Sequence, residues 1–275
     1  MPKKNYHISE ATCFKWIKEG RGSGENAEYK PWLTVRDLPS KGRVHRIFGH
    51  KSQRIHHLLS DLELSVFLLL EWLPEVTQIR EQFPLRRDDT QTIAADAQIK
   101  HPSEQGYDNF MSSDFLVNTT SKSQPKFVLQ AKYASALDDK RTVEKLEIER
   151  RYWQMKGVPW YLITEKQIPK DVVKNVEWLY PASRTDDDYR LSSEKVTVYQ
   201  YHFGENPNRT VIDVCKMLDV EYGLNRGESL QEVRALMARG YFEFDICTPV
   251  HKLKAGEVKS ESFDVMREAY HVSNQ

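Results

Sequence analysis

Cysteine is scarce in this chain of 275 residues, and what there is falls in no useful pattern. Cys13, Cys215 and Cys247 have no zinc spacing, and an odd count of three cannot all pair within one chain, so a reducing, cytoplasmic setting is expected. Long apolar runs are missing too. No stretch approaches the length of a membrane span, and the opening MPKKNYHISEATCF lacks the apolar core of a signal peptide, which predicts a soluble protein with no membrane partner. A surplus of either charge is also absent: 40 basic residues face 40 acidic ones. A strong, independent grip on nucleic acid is therefore not expected, and any DNA affinity has to be borrowed in part from a partner.

What the chain does have is a core. With 39% hydrophobic and 11% aromatic residues it falls in the globular range, which excludes extensive disorder, and its length suits two domains. The basic residues are uneven: residues 36 to 57 hold Arg36, Lys41, Arg43, Arg46, Lys51 and Arg54 together with four histidines. A solvated surface and a phosphate track explain that stretch equally well. Turn chemistry dominates the first fifty residues, in Gly20-Arg21-Gly22-Ser23-Gly24 and Pro39-Ser40-Lys41-Gly42. The glycine cluster is not a phosphate loop, because no Gly-Lys-Ser/Thr follows and no strand precedes it; it reads as a flexible loop.

Residues 57 to 72, HLLSDLELSVFLLLEW, read as a mostly buried helix, apolar on nearly all sides and free of glycine and proline. Glu63 lies among its leucines and is expected to face inward, where an unpaired carboxylate is expensive. Strands are expected over 76 to 85, 114 to 118 and 126 to 133, the last two forming a hairpin. A helix over 138 to 156, stopped by Gly157, then leads into a buried strand at 158 to 164. This order predicts an α/β core in which the last strand lies parallel to a neighbour through a helical crossover. The first domain is expected to span residues 1 to 168 and the second 169 to 275. In the second, residues 171 to 180 read as a helix and 183 to 195 as a polar loop, with Asp186-Asp187-Asp188 solvated rather than metal-binding. Two helices over 210 to 222 and 228 to 239, joined by a glycine turn and followed by a strand over 241 to 246, suggest a mainly helical, winged-helix-like domain. Such a domain serves protein contact or DNA reading, and protein contact is favoured here.

The candidate chemistry lies in Asp114 and the run Gln130-Ala131-Lys132. Phosphodiester hydrolysis needs an activated water and stabilisation of charge on the phosphoryl oxygens, and divalent metals supply both. Magnesium takes oxygen ligands. Asp114 offers a carboxylate, Gln130 an amide oxygen and Ala131 its backbone carbonyl, while Glu63 can complete the set from its helix. Side chains alternate along a strand, so Lys132 points where Gln130 points and can orient water or neutralise phosphate. A strand with a polar wet face would produce the same letters, and Glu149 is open to two readings, a member of the cluster or a partner in surface ion pairs.

These residues lie among segments that resemble the TnsA family, the endonuclease subunit of the heteromeric transposase of Tn-seven-type transposons. The resemblance is carried by KEGRG at 18 to 22, PWLTV at 31 to 35, HHLLSDLEL at 56 to 64, IREQFPL at 79 to 85, SDFLV at 113 to 117 and EKLEIERRYW at 144 to 153. It implies a type II restriction endonuclease-like N-terminal domain whose catalytic residues are Glu63, Asp114, Gln130 and Lys132, with glutamine where restriction enzymes usually carry an acid. It further implies magnesium, replaceable by manganese, and cleavage at the transposon 5′ ends alongside a TnsB-like transposase. A TnsC-like ATPase regulator would engage the C-terminal domain. Two other readings stay open, a stand-alone restriction or repair nuclease of the same fold and a nuclease-dead assembly adaptor.

Overall fold

The structure is a computed structural model that describes residues 8–37, 42–104, 106–184 and 189–260. The turn residues Pro39, Ser40 and Lys41 and the acidic run Asp186-Asp187-Asp188 lie outside the described residues. The chain divides into two compact units, Met1–Ile168 and Pro169–Gln275. Among the described residues no helix is long and apolar enough to cross a membrane. Cys13, Cys215 and Cys247 are all free thiols, the first two buried.

The first unit opens with helix α1 (Glu10–Lys18), started by Ser9, whose hydroxyl accepts the Thr12 N–H at 3.2 Å. Strands β1 (His45–Gly49) and β2 (Arg54–Leu58) then form an antiparallel hairpin that runs into helix α2 (Asp61–Trp72). Strand β3 (Val76–Pro84), helix α3 (Arg87–Asp96) and the short pair β4 (Ser103–Glu104) and β5 (Tyr107–Asp108) follow. Strands β6 (Ser112–Thr119) and β7 (Lys126–Ala131), helix α4 (Lys140–Met155) and strand β8 (Trp160–Ile163) complete the unit.

The main sheet has the order β3-β6-β7-β8. Its first two pairings are antiparallel, and β7 lies parallel to β8 through the crossover helix α4. That is the mixed α/β arrangement expected from the element order, because parallel neighbours need a long connection. On one face Leu116 and Val128 pack with Ile148, Tyr152 and Trp153 of α4 and with Ile93 and Ala94 of α3. Phe115 and Val117, which alternate with Leu116, are also fully buried, so both faces are covered. Gly157 sits just past α4 with φ +67°, the left-handed turn that stops the helix.

Three expectations for this unit need correction. The helix expected from residue 57 starts at Asp61, since His57 and Leu58 end β2 and Ser60 caps α2. The apolar letters run unbroken across that junction, which is why periodicity missed it. The strand at 158 to 164 is the shorter β8; it is an edge strand with Tyr161 exposed, not a buried one. The glycine loop is an ordered turn: the Gly22 N–H donates to the Lys30 carbonyl at 2.6 Å, and a Cβ there would meet Pro84 at 2.1 Å. The basic stretch, left open between two readings, combines one buried ion pair with partners nearer the surface. Arg54 donates from both terminal nitrogens to the fully buried Glu81, Arg43 and His45 pair with Asp61, and Lys51 donates to the carbonyls of Leu73 and Val76.

The second unit is helical: α5 (Lys170–Leu179), α6 (Tyr189–Glu205), α7 (Val211–Glu221) and α8 (Glu228–Ala238). Thr210 caps α7, and Asp219 accepts the N–H groups of Gly227 and Ser229 at 2.6 and 2.9 Å, which fixes the turn into α8. Residues 189 to 195, expected as loop, belong to α6. The strand expected at 241 to 246 is absent; a single antiparallel bridge joins Glu243 and Lys259 instead.

Candidate active site

The pairing of β6 with β7 stops at Phe115 opposite Leu129, one residue short of Asp114. Beyond that point side chains replace the backbone ladder. The Asp114 N–H donates to Oε1 of Gln130 at 2.8 Å, and the Ala131 N–H donates to Oδ2 of Asp114 at 2.9 Å. The strands therefore part at this end without orphaning either buried amide, and an aspartate is held in the opening. Lys132, the first residue after β7, brings Nζ to 3.3 Å from the same Oδ2. Its side chain is 33% exposed against 7% for Asp114, so the ammonium forms the solvent-facing end of the pair.

Glu63 arrives from the first turn of α2. Ser60 accepts the Glu63 N–H at 3.1 Å, while Glu63 accepts the Leu59 N–H at 2.9 Å and the Ser60 hydroxyl at 3.1 Å. This reciprocal cap fixes the carboxylate, and the signal for it, Ser60 followed three residues later by Glu63, stands in the sequence. The carboxylate also faces Asp114. Gln82 Nε2 lies 3.4 Å from Glu63 Oε2 and 3.4 Å from Asp114 Oδ1. Burial, then the neighbouring Asp114 charge, push the Glu63 carboxyl up to about 8.

Glu149, on α4, is buried and forms no surface ion pair. Its Oε1 accepts the Ser113 hydroxyl at 2.7 Å and the Trp160 indole N–H at 3.0 Å, and Ser113 in turn accepts the Trp153 indole N–H at 2.8 Å. Burial raises it to about 7, with the Asp114 charge adding to the rise and the two donors opposing it. Burial alone would pull the Lys132 ammonium down, but the charges of Asp114, Glu149 and Glu63 outweigh it and hold its pKa above the usual lysine value. Gln130, Lys132 and Glu149 line a cleft of about 350 Å³ whose wall includes Ser112, Thr142 and Lys145.

All the residues singled out from the sequence thus gather here: Glu63, Asp114, Gln130, Ala131 and Lys132. Ala131 meets Asp114 through its amide N–H. Gln82 was missed altogether. Nothing in IREQFPL marks it, although its φ of +48° and near-complete burial make it the most unusual residue of β3.

Among the described residues no three His, Cys, Asp or Glu side chains gather to hold a metal. A cation at this site would rest on two carboxylates and on neutral oxygens, a set suited to a hard ion such as magnesium and not to zinc.

Two acids and a lysine gathered where the inner strands β6 and β7 part make a candidate site for cutting phosphodiesters, the work of a nuclease. Residues 73–165 match the family described as TnsA-like endonuclease N terminal, and residues 167–246 match the one described as TnsA endonuclease C terminal. The chain belongs to the TnsA family of endonucleases. It is 45% identical over 274 residues to the Transposon Tn7 transposition protein TnsA of Escherichia coli, a match covering 100% of both chains. Asp114, Gln130, Lys132 and Glu149 fall inside the N-terminal match, and Glu63 precedes it.

Proposed function

We propose that this chain is a magnesium-dependent DNA endonuclease subunit of a cut-and-paste transposase, cutting the strand at the transposon 5′ ends together with a TnsB-like partner. Residues 1 to 168 would form the restriction endonuclease-like catalytic domain. Residues 169 to 275 would form a winged-helix-like domain that engages a TnsC-like ATPase. The observation that carries this reading is the convergence of Glu63, Asp114 and Lys132 where β6 and β7 separate.

The donor set fits magnesium. Two buried carboxylates share one amide, and burial together with the Asp114 charge raises Glu63 to about 8, an electrostatic demand that a cation satisfies. Glu63, Asp114, the second lone pair of Gln130 Oε1 and the Ala131 carbonyl would hold it, and manganese can take its place. When bound, such an ion lowers the pKa of a water and screens charge on the phosphoryl oxygens.

The chain's own groups do the remaining work. In hydrolysis, water adds to phosphorus, the bond to the leaving sugar oxygen breaks, and negative charge gathers on the phosphoryl oxygens. Lys132 stays an ammonium, so it serves as a hydrogen-bond donor to a phosphate oxygen or to the attacking water, not as the base. Gln130 holds the backbone of Asp114, and Asp114 holds Ala131, so the site is set by the ends of two strands. Any proton resting on Glu63 at neutral pH has to leave as the cation enters.

The test is a plasmid carrying transposon ends, incubated with magnesium and the purified chain, with and without the TnsB-like partner. Cuts at the 5′ ends that require both proteins are expected. Efficient sequence-specific cutting by the chain alone points to a stand-alone nuclease, and no 5′ cuts in either case point to an adaptor.

A further inference from the structure

Gln82 is the residue of the site whose placement the reaction chemistry does not by itself require. It lies directly across from Asp114: Glu81 pairs with Phe115 and Phe83 with Ser113, and the position between them drops out of the ladder. Its backbone is left-handed, φ +48°, in the middle of a strand, a conformation that costs on the order of 1 kcal/mol or more for a residue with a side chain. Two contacts hold it there. The Trp32 N–H donates to the Gln82 carbonyl at 3.1 Å, and the Ser112 hydroxyl donates to Oε1 at 3.2 Å.

With Oε1 held by Ser112, the amide nitrogen is aimed at the two acids. Gln82 is only 2% exposed, and its amide nitrogen stands 3.4 Å from an oxygen of each. Those contacts are longer than an ordinary hydrogen bond, so the amide straddles the pair and is committed to neither. A neutral donor between two carboxylates keeps them spaced and oriented without neutralising them. This is how an outer partner prepares ligands for a metal.

We propose that Gln82 is a positioning residue for the divalent cation, holding Glu63 and Asp114 at ligating separation from behind the site. The inference rests on the magnesium reading above and adds to it a residue that touches neither metal nor DNA. The strained backbone is then the cost of directing an amide inward from a strand whose neighbours in sequence point elsewhere.

Manganese titrated calorimetrically into the full chain, without DNA, tests this. Gln82→Met keeps the length and removes the donor; Gln82→Gly suits the left-handed backbone and removes the side chain. Both are expected to fold and to bind manganese about 10- to 100-fold more weakly. Raising manganese should restore cleavage by either variant in the complete reaction, which a purely structural defect would not allow. Affinity within about twofold of wild type, or a cleavage defect that persists at saturating manganese, overturns the inference. Failure of the wild-type chain itself to bind manganese overturns the metal reading, and the role of Gln82 with it.

Discussion

The backbone N–H of Asp114 donates to the side chain of Gln130, not to the backbone of β7, at 2.8 Å. Gln130 is thus built into the end of the sheet as well as placed at the site. Gln130→Ala should leave that N–H buried without an acceptor and destabilise the first unit by about 1–3 kcal/mol. Gln130→Glu keeps an acceptor oxygen and should retain most of that stability while binding manganese more tightly. Urea denaturation and calorimetry on both variants check the pair of outcomes.

In the proposed reaction Lys132 acts through charge and donor geometry in one place, 3.3 Å from Asp114. Lys132→Met should lower 5′-strand cutting by about 100-fold or more. Lys132→Arg should recover little of it, because a planar guanidinium does not occupy the position of a compact ammonium. Single-turnover rates at saturating partner separate these outcomes.

Glu149 predicts a pH effect with a definite sign. Its folded pKa, about 7, is above the ordinary 4.5, so between those values the folded chain holds a proton that the unfolded chain has released. Stability therefore falls as pH rises through that window. Glu149→Gln keeps the oxygen that accepts from Ser113 and Trp160 and removes the charge. Its Tm advantage over wild type, measured without metal, should be small at pH 5 and grow to several degrees by pH 8, reflecting on the order of a few kcal/mol.

The buried pair of Arg54 and Glu81 fastens the β1–β2 hairpin to β3, next to Gln82. Burial pushes the Glu81 carboxyl up, but His56 and Arg54 outweigh it and hold it well below its usual value. Removing Arg54 leaves the buried Glu81 carboxylate with only His56 and the His57 N–H, so Arg54→Met should cost about 3 kcal/mol, measured by urea denaturation.

The sequence carried the sheet and its crossover because β3, β6, β7 and α4 each have a clear period and a clean stop such as Gly157. It carried Asp114 and Lys132 because their spacing along two strands is local. The start of α2 was readable only from Ser60 and Glu63 as a cap, since the apolar run hides the end of β2. Helix α6 was obscured by its polar first turns, and no local pattern replaced them. Gln82 was illegible because its role depends on a backbone conformation imposed by Trp32 and Ser112, both distant in sequence. Glu149 stayed undecided for a related reason: it sits on α4, and its partners Ser113 and Trp160 lie on two different strands.

In the proposed reaction Asp114 and Lys132 belong to the site that cuts the transposon 5′ strand. Strand-resolved excision with the partner proteins and magnesium tests it most directly, using Asp114→Asn, which can still accept from Ala131 and should fold as wild type does. The account predicts that 5′ cutting falls by about 100-fold or more while cutting of the 3′ strand by the partner continues. Full double-strand excision by that variant would contradict it.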